Sequence, residues 1–214
     1  MNKDKVLVLV HIPKTAGSSL TTAIMPYYQP HEVFTENDNG SFPSPGTKII
    51  IGHNRFGRYH GLGPLLYITM LRNPIDRVIS HYYYLKHVVL EDNLAKHVSL
   101  EEFSRSIWAA NLQTQYLTGG VIDFELAIQH LKTFAFFGIT ELFTESLYLL
   151  EDNLGFANIQ YSRINENPQK PKKEFINPYT IEQIRRNNLS DMKLYHWARN
   201  TFDKRLKESD WFKN

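Results

Sequence analysis

The sequence has no cysteine. That excludes disulfides, thiolate metal sites and a cysteine nucleophile, and it fits a reducing compartment, so a cytoplasmic location is expected. Long apolar runs are also missing. The run near the start is about one strand long and ends at His11, too short for a signal-peptide core or a membrane span. A soluble chain without a transmembrane segment is therefore expected. Charge of one sign is lacking as well: 24 Lys and Arg stand against 22 Asp and Glu, a formal net charge of +2. This balance gives no basis for bulk nucleic-acid binding. No compact acidic cluster suggests a metal, and no internal repeat or low-complexity tract breaks the chain. Its 214 residues suit one domain, taken as 1–214, with enough length to bury a core.

What is present centres on the first loop. Residues 5–12 (KVLVLVHI) read as a buried strand, 13–19 (PKTAGSS) break out of it, and 20–25 read as helix. A strand, a Gly/Ser/Thr loop with one lysine and a following helix form a phosphate or sulfate site, because N–H groups at a helix start are unpaired and favour anions. Gly17 lets the backbone approach a ligand, Lys14 adds charge, and Thr15, Ser18 and Ser19 add hydroxyls. A Walker A loop is absent: that motif places its glycines before the lysine, and here the only glycine follows it.

The pattern then repeats. Residues 26–45 read as loop with a short strand at 32–35. Residues 48–51 (KIII) and 65–71 (LLYITML) are two more buried strands, and 134–139 (FAFFGI) a fourth. Strands apolar throughout and separated by helices indicate an α/β fold whose mainly parallel sheet is covered on both faces. After Arg72, Asn73 is a good N-cap, Pro74 fits the first helical position and Asp76 favours the first turn. That helix runs to about residue 86 with Ile75, Val78, Ile79 and Tyr82 as its buried stripe, and Ser80 lies beside the stripe. Residues 88–118 are expected to be helical with one break, ended by Gly119 and Gly120. Helices follow at 124–131, 143–154, 180–188 and 190–207, the last two opened by Thr180 and Ser190. Residues 160–178 are loop, with Lys170, Lys172 and Lys173.

Lys14, His53, Arg72 and Glu141 each follow a strand end. Ligands of open α/β sheets bind beyond those ends, so the convergence of the four points to one site.

Three segments carry a resemblance: HIPKTAGSSL (11–20), GHNRFG (52–57) and LRNPIDRVISHYYYL (71–85). They resemble sulfotransferases that use 3′-phosphoadenosine 5′-phosphosulfate, of the carbohydrate type, in the broad group of heparan sulfate 2-O-sulfotransferase. FGITELFTESLYLL (137–150) and SRINENPQKP (162–171) are similar to that group too. The resemblance implies a P-loop NTPase-like three-layer fold with helices following the sheet at its C-terminal end. It implies a donor site in which Pro13, Lys14, Thr15, Ala16, Gly17, Ser18 and Ser19 wrap the phosphosulfate and Arg72 and Ser80 grip the 3′-phosphate. It further implies His53 as the catalytic base and Arg163 in a late loop folding over the nucleotide. The product would be 3′,5′-ADP, the acceptor a carbohydrate hydroxyl, and no metal would be required. Unlike animal members, the chain is short and shows no membrane anchor.

The chemistry suits these residue types. Sulfuryl transfer, like phosphoryl transfer, asks for in-line oxygens and stabilised charge on the leaving phosphate, which Lys14 and backbone N–H groups supply. Histidine acts as a base near neutral pH. Arginine forks onto phosphate. Arg77 is a candidate second phosphate ligand. Plainer roles are open at each position: His53 as a strand-end cap among nine histidines, Arg72 paired with Asp76, Ser80 bonded back into its helix, Arg77 facing solvent or an acidic group, Tyr82 to Tyr84 mostly as packing. Gln113, Gln115 and Tyr116 are candidates for the acceptor pocket. Two other functions stay open: a P-loop kinase or nucleotide hydrolase using ATP or GTP, and a nucleotide-binding protein without catalysis.

Overall fold

A computed structural model describes residues 5–36, 41–156, 158–160, 171 and 173–213. Five parallel strands form its sheet: β1 (Val6–Val10), β2 (Val33–Thr35), β3 (Ile49–Ile51), β4 (Leu65–Leu71) and β5 (Phe136–Ile139), in the order β2-β3-β1-β4-β5. The register is set at the centre, where Val8 pairs with Tyr67 on one side and Ile50 on the other. The runs are apolar at consecutive positions because the strands are buried on both faces: Val8, Leu9 and Val10 in β1 and Phe136, Phe137 and Ile139 in β5 are all buried. This is the expected α/β architecture of a parallel sheet covered by helices.

The helices are α1 (Gly17–Ile24), α2 (Pro74–His87), α3 (Leu100–Phe103), α4 (Leu112–Leu117), α5 (Phe124–Thr133), α6 (Phe143–Leu154), α7 (Pro178–Asn187) and α8 (Leu189–Glu208). None is long and apolar enough to cross a membrane. Asn73 caps α2 by accepting from the N–H groups of Ile75 (3.1 Å) and Asp76 (3.4 Å), with Pro74 at the first position. The stripe of α2 does not serve the sheet. Ile75, Val78, Ile79 and Tyr82 form a second core with Phe103 and Ile184, beside the main core around the strands.

Three expectations need correction. Residues 88–118 are not one broken helix: they hold a 3-10 turn (Leu94–Lys96) and the short α3 and α4, separated by turns. Asn111 has left-handed backbone (φ 48°) immediately before α4 and cannot continue a right-handed helix. The C-terminal helices start on Asn177 and Asn188 rather than on Thr180 and Ser190, since Pro178 at the first position of α7 presets the helical φ. Arg77, expected at solvent or an acidic group, is not at solvent: it is wholly buried, donates to the Ala109 carbonyl and faces the charge of Asp191.

Strand order positions the site. From β1 the chain turns toward β2 and β3, and from the adjacent β4 it turns the other way, toward β5. Connections that diverge from neighbouring strands leave a crevice beyond their carboxyl ends. The loop after β1 and the start of α2 border that crevice.

Candidate active site

A cleft of about 1370 Å³ occupies the crevice. Pro13, Lys14, Ala16, Gly17, Ser18, Ser19, His53, Arg72, Ser80 and Glu141 all line it. Sequence positions spread over four strand ends are therefore brought into one space. Thr15 is the exception in its loop. It is buried, and its hydroxyl donates to the Ile12 carbonyl (2.9 Å), so it braces the turn instead of presenting a hydroxyl to the cleft. Arg163 lies outside the described residues, as do Lys170 and Lys172. Lys173 reaches Asp76 at the cleft edge (3.7 Å).

The loop after β1 is bent by two left-handed residues, Lys14 (φ 67°) and Ala16 (φ 65°). Neither is glycine, and each such residue costs about 1 kcal/mol or more. Ala16 precedes α1 without a side-chain cap, so the first N–H groups of the helix, which have no intrahelical acceptor, open toward the cleft residues Gly17, Ser18 and Ser19. Gly17 is needed for a reason absent from the sequence pattern. A Cβ there would stand 2.0 Å from Cδ2 of His11. The His11 ring thus lies across the start of α1, and only glycine fits beneath it.

His11 also positions His53. The rings sit 4.5 Å apart, tilted by 32°, and His53 Nδ1 lies 2.9 Å from the His11 carbonyl oxygen. A carbonyl only accepts, so Nδ1 carries a proton, and in the neutral ring Nε2 is then the acceptor. His53 is exposed in the cleft. His11 stays neutral: burial, then the neighbouring His53 and Lys14, pull it down to about 3.

The lysine and arginine are both held. Lys14 Nζ sits 3.9 Å over the ring of Tyr84, one of three tyrosines expected only to pack. Arg72 Nη1 donates to the Lys14 carbonyl (3.0 Å), tying the end of β4 to the loop after β1. Gln113, expected in the acceptor pocket, is buried and bonded to Arg72 at both backbone groups. Its Oε1 accepts from the Arg72 N–H and its Nε2 donates to the Arg72 carbonyl, each at 2.9 Å. The side-chain amide behaves as a short partner strand for the last residue of the run. Glu141 accepts from the Asn73 N–H (2.8 Å) and from the Tyr195 hydroxyl (3.0 Å), so it holds the entry to α2.

A second wall comes from residues 92–116. Gln115 and Tyr116 line it, together with Leu94, Ile107 and Trp108. His81, one helical residue after Ser80, also lines the cleft and donates from Nδ1 to the Trp108 carbonyl (2.9 Å). Burial and then the Arg77 charge pull His81 down to about 3. Residue type alone flagged none of His11, Tyr84, His81 or Trp108. For His11 the signal was its place at the head of the HIPKTAGSSL segment; for the others no local signal existed.

Chemically, the cleft brings together Lys14, Arg72 and the start of α1, an exposed imidazole at His53, and the aromatic side chains Trp108 and Tyr116. No group of three His, Asp or Glu residues among the described residues is arranged to hold a metal.

The family model described as the sulfotransferase family matches residues 1–198. No curated protein matches the chain. Among solved structures, the chain is similar to mouse sulfotransferase SULT7A1 complexed with PAP, at 14% identity and a TM-score of 0.42, covering 89% of this chain and 67% of that one.

Proposed function

The chain belongs to the sulfotransferase family, and from that premise we propose that it moves the sulfuryl group of 3′-phosphoadenosine 5′-phosphosulfate to a carbohydrate hydroxyl, with His53 as the base. His53 Nε2 takes the proton of the acceptor hydroxyl as the acceptor oxygen bonds to sulfur. The bond from sulfur to the bridging phosphate oxygen breaks, and 3′,5′-ADP leaves with the electron pair. Lys14 neutralises the charge growing on that oxygen, and the N–H groups at the start of α1 take the non-bridging oxygens. Arg72 and Ser80 hold the 3′-phosphate. The leaving group is already a phosphate, so the reaction is expected to run without a metal.

The observation that carries this reading is the hydrogen bond from His53 Nδ1 to the His11 carbonyl, because it leaves Nε2 as an acceptor in the cleft. The two other histidines of the cleft fit poorly as bases: His11 and His81 are both pulled down to about 3 by burial. The test is transfer of labelled sulfate from the donor to a panel of glycosides, with and without a chelator. Label on a glycoside hydroxyl, lost in His53→Ala, supports the reading. Hydrolysis of ATP with magnesium and no sulfate transfer would replace it with a nucleotide hydrolase.

A further inference from the structure

The cleft is larger than a single small-molecule site, which usually spans about 300–1,000 Å³. Its donor wall is accounted for; its other wall is built in an unusual way. Ile107 and Trp108 line the cleft and are 73% and 56% exposed. Large apolar side chains left in water on an irregular segment are normally free to fold away. Here the backbone beneath them is fixed. His81 donates to the Trp108 carbonyl, wholly buried Arg77 donates to the Ala109 carbonyl, and the Asn111 N–H donates to the side chain of Asn188 (2.9 Å). Buried polar groups hold the strip while its side chains face the cleft.

Charge narrows what that strip receives. The cations Lys14 and Arg72 belong to the donor wall. Of the cleft-lining residues in 92–116 only Asp92 is charged, and it is bonded to His97 (2.6 Å); the rest are uncharged, including Asn93 and Gln115, while Arg55 from the loop after β3 stands 5.8 Å from the Tyr116 ring. A polyanionic acceptor needs a surplus of cations facing it. A flat, uncharged ring with one apolar face and polar edges matches Trp108 and Ile107 flanked by amides. We infer that Trp108 is the acceptor platform and that the acceptor is a neutral glycoside whose sugar ring stacks on it. This rests on the sulfotransferase reading above and names its substrate class.

The experiment uses the full chain saturated with 3′,5′-ADP, titrated calorimetrically with neutral alkyl glycosides of the common hexoses and with a heparan sulfate fragment and a simple phenol in parallel. At least one neutral glycoside binds, and Trp108→Ala weakens it about ten-fold while Trp108→Phe retains most of the affinity. Binding of 3′,5′-ADP is unchanged in both variants, which also shows that they fold. The inference is overturned if 3′,5′-ADP binds but no neutral glycoside does, if Trp108→Ala leaves the glycoside affinity intact, or if the heparan sulfate fragment or phenol binds better. If 3′,5′-ADP itself fails to bind, the donor reading falls and takes the acceptor with it.

Discussion

The two walls of the cleft are built on different principles. The donor wall is made of strand ends: Lys14, His53 and Arg72 each come one to four residues after a buried strand, and the sheet alone brings them together. The wall proposed for the acceptor, formed from 92–116, is made of short helices and turns and is held by side chains far away in sequence. Asp191 on α8 accepts from the Gln113 N–H (3.0 Å) and from the N–H and hydroxyl of Thr114 (each 2.7 Å), and Asn111 is bonded to Asn187 and Asn188. Gln113 then joins the walls through the backbone of Arg72. Loss of an exposed reacting side chain on the first wall is expected to spare stability; loss of a buried residue that supports the second wall is expected to cost stability and function together.

The largest effect expected is on rate without stability. His53→Ala should lower sulfate transfer by about two to four orders of magnitude, the typical contribution of a general base. The exposed ring leaves the unfolding midpoint nearly unchanged, and thermal melts beside the transfer assay check both. Lys14→Ala should lower the rate by about two to three orders of magnitude, as for removal of one oxyanion donor. It too should leave stability intact.

The acceptor wall should answer the opposite way. Asp191→Ala orphans three buried donors and removes the charge facing Arg77, so urea denaturation should show a loss of about 3 kcal/mol or more. An unchanged urea midpoint would erase the contrast between the walls. Gly17→Ala marks the limit of the contrast on the donor side, where a backbone position is packed under a ring. Its Cβ would meet the His11 ring, and a loss of about 1–3 kcal/mol is expected together with weaker nucleotide binding.

A further effect is acid sensitivity. His11 and His81 are held near 3 in the folded chain against 6.5 when exposed. Below about 6.5 the unfolded chain binds their protons and the folded chain does not, so their contribution is full above 6.5 and is lost as pH falls toward 3. Urea midpoints between pH 7 and pH 5 should fall, with a slope of at most about 1.4 kcal/mol per pH unit from each histidine. His81→Asn should flatten that slope.

The same contrast explains what was legible in the sequence. Periodicity and caps are local, so β4 (Leu65–Leu71) and α6 (Phe143–Leu154) were expected at the bounds observed, and α2 within a residue or two. Lys14, His53, Arg72 and Ser80 were legible as candidates because strand ends and a family resemblance mark them. The region 88–118 was not. Its conformation follows from a left-handed Asn111 and from partners about 75 to 80 positions later, and no local pattern records those. Arg77 is the clearest case: an arginine on a helix near a phosphate site suggests a ligand or a surface charge, yet it is wholly buried beneath the acceptor wall. Gly17 suggested ligand access, and the ring of His11 is what requires it.

The central claim is that the donor wall is built for a nucleotide carrying a 3′-phosphate. Calorimetry with 3′,5′-ADP, 5′-AMP and ATP with magnesium, on the native chain and Arg72→Ala, tests it most directly. Metal-independent binding of 3′,5′-ADP, weakened sharply by loss of the 3′-phosphate or of the Arg72 guanidinium, is the predicted result. Binding of ATP only in the presence of magnesium, or equal binding of 5′-AMP and 3′,5′-ADP, would contradict it.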